Sequence, residues 1–282
     1  MSELANRSFD HLSPAAAGLG AALLRPRRIA VACLVALAGG GWLVLGILAG
    51  QTGSGGTLIE TLGALCRPGA GGGLAASAFV PVFAMWSAMT LAMMLPTAAP
   101  MILTYADIAE TAAARQQNVV SPFALVAGYC AVWIGFAVLA TLAQIYAVAP
   151  LVPADAPAAA SAALAAALFL AAGVYQFSAL KLACLSACRQ PFPFFFANWK
   201  TDVTGVFGLG LRQGLHCLGC CWAMMLLMFA GGAMNALWMA VLGAVMLIEK
   251  LTAAPHFSRA VGIVLLLVGS AFALAAMTGL SR

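Results

Sequence analysis

Residues 212–229 read RQGLHCLGCCWAMMLLMF. The run is apolar enough for a helix inside a bilayer, yet it carries Arg212, His216, Cys217, Cys220, Cys221, Met224, Met225 and Met228. Residues four apart share a helix face. Arg212, His216, Cys220, Met224 and Met228 therefore form one row, and Gln213, Cys217, Cys221 and Met225 a second beside it. Soft sulfur donors and an imidazole are costly in lipid unless they hold something. Thiolate and thioether select Cu(I) or Zn(II), and imidazole accepts both. The competing reading is that small Cys and adaptable Met merely pack against neighbouring helices. Arg212 adds weight to function, because an ionisable side chain at membrane depth marks a site by default.

The rest of the chain sets this helix in a membrane. Of 282 residues, 64% are hydrophobic and 7% charged, with a mean hydropathy of +1.03, whereas a soluble domain carries about 25% charged residues. The apolar stretches run unbroken for roughly 20 residues, unlike barrel strands that alternate over about 10. The expected fold is all-α, a polytopic membrane helix bundle. The net charge of +5 lies in loops and does not point to a nucleic-acid partner. Residues 1–28 read as a polar cytoplasmic segment, too long and polar for a signal peptide. Residues 29–282 read as a single transmembrane domain.

Seven spans are predicted, at about 29–50, 79–106, 121–149, 159–182, 204–230, 233–249 and 258–280. The number falls to six if residues 205–217 only dip into the bilayer. With the N-terminus cytoplasmic, the inner flanks hold eleven of the thirteen basic residues, leaving Arg67 and Arg282 outside. That is the bias expected of cytoplasmic loops, so the chain reads as N-inside. The loop 51–75 is Gly-rich, external and expected to be flexible. The segment 183–203, ACLSACRQPFPFFFANWKTDV, mixes aromatic and basic residues as a lipid-interface segment does. No internal repeat is evident.

Of eight cysteines, Cys33 and Cys130 fall in spans and Cys66 in the external loop. The other five cluster as Cys184, Cys188, Cys217, Cys220 and Cys221, a grouping that reads as metal or redox chemistry rather than a disulfide framework. Cys184 and Cys188 lie one turn apart, sharing a face with Gln176 and Leu180 if the helix continues. Lys181 and Arg189 beside them are expected to favour thiolate. Met85, Met89 and Met93 repeat every four residues, followed by Met94, Pro96, Pro100 and Met101. The prolines are expected to bend that helix and free carbonyls for a cavity or ligand. Met93 and Cys220 both count to mid-bilayer.

Asp107 and Glu110 are read as solvated helix ends. Glu249 and Lys250 likewise end the sixth span, with Glu249 able to face a polar interior. Asn235 reads as a helix–helix hydrogen bond, and His11 and His256 carry no signal. P-loop, Rossmann, HExxH and GxSxG patterns are absent, so no catalytic residue is nominated.

The blocks MWSAMTLAMMLPTAAPM (85–101), GVYQFSALKLACLSACRQP (173–191) and GLRQGLHCLGCCWAMMLLMFAGGAMNALWMAVLGAVMLIEK (210–250) resemble a bacterial family of predicted metal-binding integral membrane proteins whose domain has no assigned function. The resemblance covers nearly all of the membrane portion. It implies metal binding in a bacterial inner (cytoplasmic) membrane. Ser178-Ala179 stands where that family has Thr-Pro. Gln213 and His216 stand where it has His and Tyr.

The leading reading is a protein that handles a soft metal, Cu(I) first and zinc second, for transfer, transport or delivery to a soluble or membrane metalloprotein. Cys217, Cys220 and Cys221, with His216, would be the inner ligands. Cys184 and Cys188 would meet them, and Met85, Met89, Met93, Met224 and Met228 would form an outward relay. One rival is a membrane thiol–disulfide oxidoreductase using Cys217/Cys220 and Cys184/Cys188. Its cysteines face the cytoplasm in this orientation, which tells against oxidative folding. The other rival is a non-catalytic membrane subunit or assembly factor.

Overall fold

The computed structural model describes residues 26–50, 75–148, 158–231, 236–252 and 255–278. The N-terminal segment through residue 25, the loop 51–74 with Cys66 and Arg67, Asn235 and Arg282 lie outside the described residues. Among the described residues every regular element is helical. The elements are α1 (Pro26–Gly50), α2 (Ala75–Ala114), α3 (Pro122–Ala143, ending in a π-turn, Gln144–Val148), α4 (Ala158–Tyr175) and α5 (Ala179–Arg189). They continue as α6 (Pro191–Asn198), α7 (Val203–Leu226), α8 (Met228–Gly231), α9 (Ala236–Leu251) and α10 (Pro255–Thr278).

Five stretches are long and apolar enough to cross a membrane: Pro26–Gly46, Phe79–Ala114, Pro122–Val148, Val203–Ala230 and His256–Thr278. A sixth is available if α4 and α5, bent by 66° at their junction, count as one broken span. The expected fourth span is therefore interrupted. Gln176–Ser178 leave the helix, and the Ser178 hydroxyl caps α5 by accepting from the Lys181 amide at 3.1 Å. The expected sixth span corresponds to α9, whose 16 residues fall short of the ~20 needed for a straight crossing.

Three neighbouring helices, α2, α3 and α7, form the centre, with α1 packed on α2 and α10 on α4. The outer helices leave apolar side chains such as Val35, Leu43, Leu267 and Met277 exposed. Proline does not break α2, which stays helical through Pro81, Pro96 and Pro100. Pro96 has no N–H for the carbonyl of Ala92, and the Trp42 indole of α1 donates to that carbonyl instead, at 3.1 Å. A neighbouring helix, not a ligand, takes the freed carbonyl. Asp202 caps α7, accepting from Thr204 Oγ1 and the Gly205 amide, each at 2.7 Å. These bonds, the Thr204 hydroxyl foremost, hold its carboxyl below the ordinary range. The cap is thus fully present above that range and is lost only as pH falls through the lowered value.

The contact of α3 with α7 is the closest approach of backbones near the cysteines. A Cβ on Gly210 would collide with the Leu125 carbonyl, one on Gly128 with the Phe207 carbonyl, and one on Gly214 would lie 2.8 Å from Val132 Cγ2. Gly210 and Gly214 make a small-xxx-small pair of the kind that lets helices approach closely. The obstructing atoms at Gly210 and Gly128 are backbone, so they cannot rotate away. Gly210→Ala or Gly128→Ala should therefore cost about 1–3 kcal/mol, read as a lower unfolding temperature in detergent. Gly208 of the same helix faces open space, and Gly208→Ala should leave the melt unchanged or raise it.

Candidate metal centre

The buried face of α7 carries Gln213, Cys217, Cys220, Cys221, Met224 and Met225. Cys220 Sγ lies 3.3 Å from Cys221 Sγ and donates to the Cys217 carbonyl at 3.2 Å. Cys217 lies one turn before Cys221 on the same buried face, and Cys220 neighbours Cys188 of α5. Cys184 packs one turn away, where a Cβ on Gly219 would sit 2.5 Å from its sulfur. The two cysteine groups thus converge. Gly219 leaves the room, and Tyr175 fixes the spot by donating to the Gly219 carbonyl at 2.5 Å. Every cysteine among the described residues is free of disulfide.

Cys217 sits in a ring of close polar contacts joining four helices. Lys250 Nζ of α9 donates to Cys217 Sγ at 2.9 Å and to Thr97 Oγ1 of α2 at 2.7 Å. The Thr97 hydroxyl donates to the Met94 carbonyl at 2.8 Å. Tyr129 of α3 reaches that same carbonyl and Cys217 Sγ, both at 3.0 Å. Its single hydroxyl proton serves one of the two. A sulfur approached by an ammonium is placed as a thiolate would be, since a charged donor makes the stronger bond.

Beside this ring lies a buried ion pair. Lys181 Nζ meets Glu249 at 2.9 and 3.1 Å, and Gln176 Nε2 donates to the same carboxylate at 3.2 Å while lying 3.9 Å from Met224 Sδ. Arg189 donates through Nε and Nη2 to the Glu249 carbonyl at 3.0 and 2.6 Å, capping the end of α9 with a cation. Two expectations change here. Glu249 and Lys250 do not end a helix in solvent but are both buried. Lys181 and Arg189 are turned to Glu249, so neither serves the thiols of Cys184 and Cys188.

The remaining candidates scatter. Arg212 is exposed, bonded to Asn198 Oδ1 at 3.0 Å and lying over Phe194, so it is no buried charge. The His216 ring is edge-on to Phe194, and its buried Nδ1 has no partner. Met85, Met89, Met93, Met224 and Met228 are all buried. Met93 packs against Gly243 of α9. The row ends before Met228, because α7 stops at Leu226 and Met228 begins α8. A cleft of about 600 Å³ opens between α2 and α6, lined by Asp107, Arg115, Phe192 and Trp199, and none of the sulfur candidates borders it. Among the described residues no three Cys, His, Asp or Glu side chains are arranged as a metal cage. The thiols instead bond one another.

A protein-family model described as PpoB2, copper chaperone, matches residues 83–272. The chain belongs to the PpoB2 copper chaperone family. The match encloses the five clustered cysteines and Lys250, Tyr129 and Thr97. It narrows the soft-metal expectation to copper and lends nothing to zinc. No curated protein and no solved structure matches the chain significantly. Sequence reasoning overlooked Lys250, Tyr129, Thr97 and the Lys181–Glu249 pair of this PpoB2 chain. The available signal was an Glu-Lys pair closing an otherwise apolar run.

Removing one member of a buried ion pair strands the other, at about 3–5 kcal/mol. Glu249→Ala should accordingly lower the unfolding temperature sharply in detergent. Lys181→Met combined with Glu249→Leu should recover most of that loss, because apolar replacement of both partners is often close to neutral.

Proposed function

We propose that this PpoB2 family member is a membrane-embedded chaperone that carries Cu(I) on two thiolates drawn from Cys217, Cys220 and Cys221, with Cys188 and Cys184 as the neighbouring acceptors. The observation that carries this reading is the meeting of α5 and α7 cysteines, Cys188 at Cys220 and Cys184 at Gly219, on the helix face of Cys217, whose sulfur an ammonium approaches. Soft sulfur favours Cu(I), and Cu(I) is satisfied by as few as two such donors. Closed zinc sites take four. An arrangement without a ready cage of Cys, His and carboxylate therefore suits copper better.

The chain would sit in the bacterial inner membrane with its N-terminus inside, and α9 would complete a bundle of seven spans, the broken α4–α5 pair among them. Met85, Met89, Met93, Met224 and Met228 would be weak thioether stations leading outward from the cysteines. Ligand exchange along that path would deliver copper to a soluble or membrane metalloprotein. His216 lies edge-on to Phe194 and would be dispensable for copper binding.

Purified protein, kept reduced in detergent and titrated against a chromogenic Cu(I) chelator, should bind copper. Cys217→Ser, or Cys220→Ser with Cys221→Ser, should weaken binding by more than the roughly 10–100-fold typical of outer-shell partners. His216→Ala should leave it unchanged. Equal binding by the cysteine variants would overturn the reading.

A further inference from the structure

Lys250 presents a charge without a carboxylate. Its side chain is buried, and Nζ contacts Thr97 Oγ1 and Cys217 Sγ. Among the described residues the carboxylate ion pairs are Arg27–Asp107 and Lys181–Glu249, so the acidic residue next in sequence is already engaged. The sulfur it meets is that of Cys217, which Tyr129 also approaches at 3.0 Å. Arg189, bonded to the Glu249 carbonyl, holds this end of α9 in place. The ammonium is therefore a fixed charge aimed at sulfur. Having no lone pair, it cannot itself be a ligand.

Resting on the thiolate-bound copper proposed above, we infer that Lys250 is the counter-charge that makes this site specific for a monovalent ion. Two thiolates around Cu(I) carry one net negative charge, which one ammonium neutralises. Zn(II) confined to the same two thiolates would carry none, and the ammonium would then be left buried without compensation, which is unfavourable in an apolar interior. Lys250 acts through charge, as a positioning and specificity residue rather than by touching the metal.

The test compares Cu(I) affinity, by chelator competition, with Zn(II) affinity, by a fluorescent zinc indicator, on the full-length reduced protein in detergent. Lys250→Met should weaken Cu(I) binding at least tenfold while Zn(II) binding holds or tightens, so that the preference shifts toward zinc. Lys250→Arg, which keeps the charge, should retain the wild-type ratio. If the Met variant does not fold, Lys250→Gln serves the same comparison, since it keeps a donor for Thr97 and Cys217 but no charge. Cys220→Met removes one negative charge from the complex. It should weaken Cu(I) binding in the wild-type background and strengthen it in Lys250→Met. A Cu(I)-to-Zn(II) ratio unchanged in the neutral variants, or lost in Lys250→Arg, overturns the role of Lys250 and leaves copper binding standing. Failure of the wild-type protein to bind Cu(I) overturns the copper reading itself.

Discussion

The glycine-mediated approach of α3 to α7 decides where sulfur can sit. Gly128, Gly210 and Gly214 bring the two backbones so close that an added Cβ would meet carbonyl or valine atoms. Only at that separation does the Tyr129 hydroxyl lie within hydrogen-bonding distance of both Cys217 and the Met94 carbonyl of α2. The contact therefore links three helices through one phenol. It also leaves Cys217 facing α9, from which Lys250 reaches it. Wider spacing would leave the thiols as ordinary packing residues.

A second constraint concerns charge inside an apolar body. Lys181, Glu249 and Lys250 are buried together, and the helix geometry separates their duties. Glu249 turns toward α5, where Lys181, Gln176 and the junction of α4 with α5 meet it. Lys250 turns toward α2 and α7. The 66° bend between α4 and α5 lets Gln176 at the end of one and Lys181 at the start of the other meet the same carboxylate.

The sulfur-bearing face of α7 was legible in the sequence because it follows the helical period within a single element. So was the all-helical architecture, from hydropathy alone. The partners of Cys217 were not. Lys250 lies 33 residues from Cys217 and 153 from Thr97, and Tyr129 lies 88 from Cys217. Their meeting depends on helix register, which periodicity does not encode. The break at Gln176–Ser178 was hidden for a different reason: two polar residues around Phe177 interrupt a long apolar run, and no glycine or proline falls among them. The GxxxG spacing at Gly210 and Gly214 was present as a signal but passed unused. Pro96 was read correctly as freeing a carbonyl, yet Trp42, 50 residues away in α1, was not foreseeable as its partner.

Glu249 and Lys250 are consecutive, and successive residues on an α-helix are rotated by about 100°. One residue inserted into or deleted from α9 upstream of them would turn the whole pair by that angle. The carboxylate or a neutral side chain would then be offered where the ammonium now meets Cys217, and Arg189 would lose its place on the helix end. The length of α9 is thus held as tightly as its composition. Apolar side chains of α9 are therefore more readily exchanged than their count is shifted.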